Sequence, residues 1–173
     1  MNLILETERL LLRPLELSDA KNLFDIKCFP NNITVKCHPN ANTLNKCIDN
    51  IEAVIEDYKE FNVGRLAVVL KKDNSLIGFA GIRFNPDVFG NDLKGFFDFD
   101  YSIKDEYQNK DYLYELISNY ILSVFEKTDV GLIYSNSVQI GSFEYETFKK
   151  LHSKEIGHYN KNSDSTFFRI TRE

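Results

Sequence analysis

Tryptophan is absent from the sequence, and its single methionine is the first residue, so aliphatic side chains, phenylalanine and tyrosine must fill any core. Cysteine is scarce as well. Cys28, Cys37 and Cys47 form an odd set without Cys-x-x-Cys or zinc-type spacing. That pattern reads as free thiols in a reducing compartment, with no disulfide frame and no metal site. No apolar run approaches the ~18 residues needed to cross a bilayer. The opening stretch Met1–Leu10 is short in apolar length and carries acids, unlike a secretion signal. A cytoplasmic chain without membrane partners is therefore expected. Dense basic runs are missing too: 21 Lys and Arg face 26 Asp and Glu, for a net charge of −5. Nucleic acid is not an expected ligand, because binding its backbone needs a basic face, whereas a mildly acidic surface tolerates an amine. With no repeat, low-complexity tract or linker, the 173 residues read as one domain over 1–173.

The elements follow from periodicity. Arg9 to Leu15 reads as a first strand, and Ser18 or Asp19 as the cap of a short helix running to about Cys28. Phe29 to Asn42 is loop-like. Thr43 caps a second helix whose Ile48, Ile51, Ile55 and Tyr58 recur at helical spacing. Leu66–Leu70 and Leu76–Phe84 form a hairpin about the Lys72–Ser75 turn, and Asn85–Asn91 reads as loop. In Phe96–Ile103, Phe97, Phe99 and Tyr101 alternate with Asp98 and Asp100, which places the two sets on opposite faces of a strand. A helix over 112–127 carries an apolar stripe of Leu113, Leu116, Ile117, Tyr120, Ile121 and Val124. A strand over 131–138, a helix over 142–151 and strands near 155–159 and 166–170 complete the chain. The expected class is α/β (α+β): a mixed sheet of about six or seven strands flanked by about four helices.

Three strings carry a resemblance. Thr7-Glu8-Arg9-Leu10-Leu11-Leu12-Arg13-Pro14, followed by Asp19-Ala20, is the most specific. Ile77-Gly78-Phe79-Ala80-Gly81-Ile82 is the second, and Tyr101-Ser102-Ile103 with Glu106-Tyr107-Gln108 the third. Together they resemble the GNAT N-acetyltransferases, and the first string is similar to the opening of the ribosomal-protein acetyltransferase branch.

The resemblance implies transfer of an acetyl group from acetyl-CoA to an amine, either a protein N-terminus or a small amine, by direct attack and without a metal. It implies that the turn Gln108-Asn109-Lys110-Asp111-Tyr112 holds the CoA diphosphate on the N-terminal amides of the long helix, where free N–H groups and the helix dipole favour an anion. It further implies that Tyr101, Ser102 and Ile103 hold the pantetheine arm and polarise the acetyl carbonyl. Asp98 takes the place of the family's basic carboxylate, with Asp100 on the same face. Gly141 falls where relatives place an asparagine that fixes the pantetheine. Glu144 falls on a family serine, and Phe148 on the usual general-acid tyrosine, with Tyr145 one turn earlier as its substitute. His152-Ser153 replaces Gly-Phe. A homodimer is a common assembly among relatives.

The two family glycines of the diphosphate turn are Asn109 and Asp111 here. A carboxylate ~4–5 Å from a phosphate costs roughly 3–4 kcal/mol at an effective dielectric near 20, with Lys110 as a partial offset. Asp111 is also a favoured helix cap that competes for the same amides. Two readings follow: an acetyltransferase with a reworked cofactor turn, or a relative that keeps the fold as a binding or sensing module. Outside these motifs, His38, His152 and His158 read as ordinary loop or packing residues, and Phe24, Phe29 and Tyr58 as core.

Overall fold

A computed structural model describes residues 3–25, 43–89, 93–108, 110–135, 138–151, 153–158 and 164–172. Their strands are β1 (Leu5–Glu6), β2 (Leu10–Pro14), β3 (Arg65–Leu70), β4 (Leu76–Phe89), β5 (Leu93–Ile103), β6 (Leu132–Ser135), β7 (Val138–Gln139), β8 (Ser153–His158) and β9 (Ser165–Thr171). The helices are α1 (Ala20–Asp25), α2 (Leu44–Phe61), α3 (Lys110–Lys127) and α4 (Phe143–Lys150). The strands join in one sheet in the order β1-β2-β3-β4-β5-β6-β9-β7, with β8 added on β9. Only β5 and β6 run parallel; the other pairings are antiparallel.

The two-residue side-chain period of β3 divides the core. Leu66, Val68 and Leu70 face one layer with Leu113, Leu116, Ile117, Tyr120, Ile121 and Val124 of α3 and Phe148 of α4. Ala67 and Val69 face the other, with Leu23 of α1 and Cys47, Ile51 and Val54 of α2. The apolar stripe expected on the long helix is buried throughout, and that helix begins two residues earlier, at Lys110. Thr43 caps α2 as expected, its hydroxyl accepting from the Lys46 N–H at 3.3 Å. No described helix is long and apolar enough to cross a membrane.

Several boundaries differ from the sequence reading. Among the described residues the sheet has nine strands, since β1 and β7 are two-residue segments too short to show a period. The stretch expected as loop after Phe84 continues β4 to Phe89, with a register shift between Asn85 and Val88. Pro86 lies inside that irregularity, where a residue without an N–H breaks no ladder. The first helix is capped at Glu16, and a 3₁₀ turn over Leu17–Asp19 precedes α1. Asp19 is engaged elsewhere: its carboxylate accepts from the Arg13 guanidinium at 2.7 and 2.8 Å and from the Glu16 N–H at 2.9 Å.

The most specific string thus carries structural work. Thr7 donates to Glu115 of α3, and Arg9 donates to the same carboxylate through its backbone N–H at 2.7 Å and its Nε at 2.6 Å. This clasp joins the start of β2 to α3, as Arg13–Asp19 joins β2 to the 3₁₀ turn before α1. Burial alone would push the Glu115 carboxyl up, but the hydrogen bonds from Thr7 and Arg9 outweigh it and hold the group below its usual range. The folded value is the lower one, so this stabilisation is complete above the ordinary glutamate value of 4.5 and is lost as pH falls below it. Glu115→Gln is expected to flatten the acid limb of a plot of unfolding free energy against pH. A limb of unchanged steepness contradicts the clasp.

Candidate active site

β5 and β6 pair in parallel. The registered partners are Asp98 with Tyr134 and Phe99 with Ser135. On its other side β5 stays paired with β4 as far as Ile103, opposite Gly78. Past the β6 partners, the described Val138–Gln139 of β7 pairs with β9 and not with the Ser102–Ile103 end of β5, so a wedge separates that end of β5 from β7 and α4. The chain then passes through a 3₁₀ turn over Asp105–Tyr107 directly into α3. One wedge thus brings together the strand end and the helix start that the sequence suggested as a unit.

Gln108 closes that turn. Its side-chain amide donates to the Ile103 carbonyl at 2.8 Å and to Asp105 at 3.2 Å. Asp111 is the second residue of α3 and is exposed. It lines a cleft of about 620 Å³ with Glu8, Arg9, Tyr114, Phe143 and Lys150. Arg9 stacks over Tyr112 at 4.4 Å. The Arg9 guanidinium is held above its usual range chiefly by its hydrogen bond to Glu115; burial opposes this, and the charges of Glu115, Tyr112 and Asp111 add to it. Asp111 thus has two cations, Arg9 and Lys150, in its own cleft. Asn109 lies outside the described residues, as do Cys28, Phe29, Cys37, His38, Asn136 and His152; so do the side chains of Lys110 and His158.

Across the wedge, the Tyr101 hydroxyl donates to Glu144 Oε1 of α4 at 2.5 Å. Burial first, and then the Glu144 carboxylate, push the Tyr101 phenol far above its usual range. The bond ties β5 to α4 beyond the point where the sheet has opened. Tyr101→Phe is expected to cost about 1–2 kcal/mol in a urea titration, since the lost bond is charge-assisted and Glu144 can rehydrate. An unchanged midpoint would show that the tie adds nothing. Gly141 sits in the turn before α4, exposed, with φ of 79°. A Cβ there would meet nothing within 4 Å, so backbone conformation selects the glycine.

The Tyr145 hydroxyl does not reach the wedge. It hydrogen-bonds Glu155 of β8 at 3.2 Å, and its ring packs 5.4 Å from Phe168. The phenol at the opening is Tyr101.

The carboxylates behave as the strand alternation demands, but they are engaged. Phe99 packs toward Tyr120 and Phe148 at 5.5 and 6.3 Å, so Asp98 and Asp100 project to the α2 side. Arg83, directly opposite Asp98 on β4, grips both its oxygens at 2.8 and 2.9 Å. Arg65 of β3 grips both oxygens of Asp100 at 2.8 and 2.7 Å, reaching past Gly81. A Cβ on Gly81 would lie 2.5 Å from the Gly64 carbonyl oxygen and 2.7 Å from the Arg65 Cα. Glycine is thus needed for β3 to approach at that point. Asp98, the carboxylate expected as a base, is therefore held by two charge-assisted bonds. Each forked by a guanidinium, Asp98 and Asp100 form an internally neutralised floor. The sequence hinted at these pairs only through Arg83 and Arg65 in neighbouring strands. Among the described residues no three His, Cys, Asp or Glu side chains form a group that could hold a metal.

Residues 9–163 match the acetyltransferase (GNAT) domain family. The chain belongs to the GNAT acetyltransferase family. Its solved structural neighbours agree in fold across the whole length. A GNAT-family acetyltransferase from Bordetella pertussis superposes with a TM-score of 0.79 at 11% identity, covering 98% of this chain and 99% of the other. A ribosomal-protein alanine acetyltransferase from Vibrio fischeri gives 0.70 at 16% identity, with 98% and 96% covered. A spermidine/spermine N-acetyltransferase from Vibrio cholerae gives 0.66 at 17%, with 95% and 93% covered. None of the curated proteins matches the chain in sequence. The architecture is that of a GNAT-like α/β domain with a mixed sheet and four helices.

Proposed function

We propose that the chain transfers an acetyl group from acetyl-CoA to a primary amine, a protein N-terminus or a small molecule, in the cytoplasm, as one domain spanning 1–173. The observation that carries this reading is the wedge: among the described residues the end of β5 makes no pair with β7, and β5 leads through a 3₁₀ turn toward the N-terminus of α3. The residues present suit the co-substrate. A slot along 101–103 fits a thin pantetheine arm, and the first turn of an 18-residue helix offers amides and a dipole end to a diphosphate.

Bound acetyl-CoA supplies an acetyl group activated as a thioester. The chain does the rest. The backbone along Tyr101, Ser102 and Ile103 orients the acetyl carbonyl, and a donor there stabilises negative charge on its oxygen. The segment Gln108 to Tyr112 positions the diphosphate, with Asp111 turned into its own cleft. Gly141 leaves the far wall of the wedge open. The arginine-locked Asp98 and Asp100 form the acceptor floor. An amine attacks only as the neutral base, so the ammonium first gives a proton to solvent; the C–N bond then forms, the C–S bond breaks, and the nitrogen's second proton ends on the departing CoA thiolate.

The reading is tested by incubating the protein with acetyl-CoA and a panel of primary amines. Free thiol should appear together with acetylated amine by mass spectrometry. Thiol release without acetylated product, or neither, counts against it.

A further inference from the structure

Arg9 makes a contact that its clasp on Glu115 does not require: its guanidinium lies over the Tyr112 ring at 4.4 Å. Tyr112 is the third residue of α3. Its ring meets Tyr107 edge to face, with centroids 5.7 Å apart and planes at 87°. That arrangement sets the positive edge of one ring against the negative face of the other. Lys72, from the turn between β3 and β4, lies 5.8 Å over the Tyr107 ring. Both rings are partly buried against the core layer that α3 covers. A row of two cations and two rings therefore runs across the junction where the 3₁₀ turn gives way to α3.

Tyr107 ends the 3₁₀ turn and Tyr112 sits in the first turn of the helix, so the ring pair pins both ends of the short segment between them. The first amides of a helix have no partner within it. They bind a diphosphate well only when they are already held in one arrangement, because ordering them on binding costs backbone entropy at each residue fixed. The ring pair orders the segment on folding instead. Gln108 assists from within, through its bonds to the Ile103 carbonyl and Asp105. Positive charge is not what Arg9 adds here, since Glu115 matches it. It adds a flat face against Tyr112, which a lysine does not offer.

We propose that Tyr107 and Tyr112, braced by Arg9 and Lys72, are positioning residues for the diphosphate of the co-substrate, fixing the head of α3 before the ligand arrives. This rests on the acetyltransferase reading, and the experiment separates the two.

The probes are acetyl-CoA and S-acetylpantetheine, which carries the same thioester arm without a diphosphate, each titrated into the full chain and followed by amide chemical shifts. Tyr107→Leu is expected to weaken acetyl-CoA binding about fivefold and to leave S-acetylpantetheine within about twofold of wild type. Tyr107→Phe, which keeps the ring and drops the hydroxyl, should restore the acetyl-CoA affinity. Without ligand, backbone order parameters over residues 107–112 should fall from about 0.85 toward about 0.6 in Tyr107→Leu and stay high in Tyr107→Phe. Arg9→Lys keeps the charge but loses the flat face, and as a second variant should shift the ratio of the two affinities in the same direction by about twofold. Equal weakening of both compounds, or acetyl-CoA affinity unchanged in Tyr107→Leu, overturns the proposal. A wild-type protein that binds neither compound overturns the acetyltransferase reading instead.

Discussion

Replacing Arg65 with methionine is expected to destabilise the protein by about 3–5 kcal/mol, because it leaves a buried carboxylate without its partner. The Asp100 side chain is 0% exposed and that of Arg65 is 10% exposed, so water cannot take over the lost bonds. Replacing both partners removes the charge along with its desolvation penalty. Arg65→Met combined with Asp100→Leu should therefore recover much of the loss, a non-additivity that a double-mutant cycle in urea measures directly. Additive losses would mean that the pair serves only as packing. The Arg83–Asp98 pair is more accessible, at 19% and 7%, and the same cycle there should show a smaller coupling.

The second large effect concerns the cofactor turn. Asp111→Asn is expected to tighten acetyl-CoA binding about tenfold, or roughly 1.4 kcal/mol. This is smaller than the repulsion of roughly 3–4 kcal/mol expected for a carboxylate ~4–5 Å from a phosphate at an effective dielectric near 20. The difference has a structural cause. Asp111 is exposed, so solvent screens it, while Arg9 and Lys150 in the same cleft are matched by Glu8 and Glu115. The gain should shrink as salt is raised. Asp111→Gly removes the charge as well but loosens the first turn of α3, and should tighten binding less. Unchanged or weaker binding by Asp111→Asn would show that the carboxylate does not oppose the diphosphate.

What could be read from the sequence divides along physical lines. Local patterns were legible: the stripe of α3, the Thr43 cap, and the alternation that puts Phe99 and Asp98 on opposite faces. The wedge was legible only through resemblance, because where the sheet opens beside β5 depends on partners more than thirty residues away in sequence. The forks of Arg65 on Asp100 and Arg83 on Asp98 were not read at all. They depend on β3, β4 and β5 lying side by side in a fixed register, and a list of charged residues in separate strands does not contain that register. Asp19 was misread for a related reason. Asp before a helix is a good cap, but Arg13 lies close enough in space to claim it. The strand reading stopped at Phe84, whereas β4 runs on through Pro86, where a bulge absorbs a residue that normally ends a strand. Tyr145 lies one helical step from Glu144, yet the two side chains reach opposite ends of the neighbourhood, Glu155 and Tyr101. Helical spacing alone does not distinguish them.

The account turns on whether the opening between the end of β5 and β7, at the head of α3, receives the co-substrate. Amide hydrogen exchange of the full chain, with and without saturating acetyl-CoA, addresses this directly, with calorimetry on the same sample. The predicted result is micromolar affinity, with slowed exchange at residues 101–103 and in the first turn of α3. No heat up to millimolar acetyl-CoA, or protection confined to other parts of the molecule, would contradict the account.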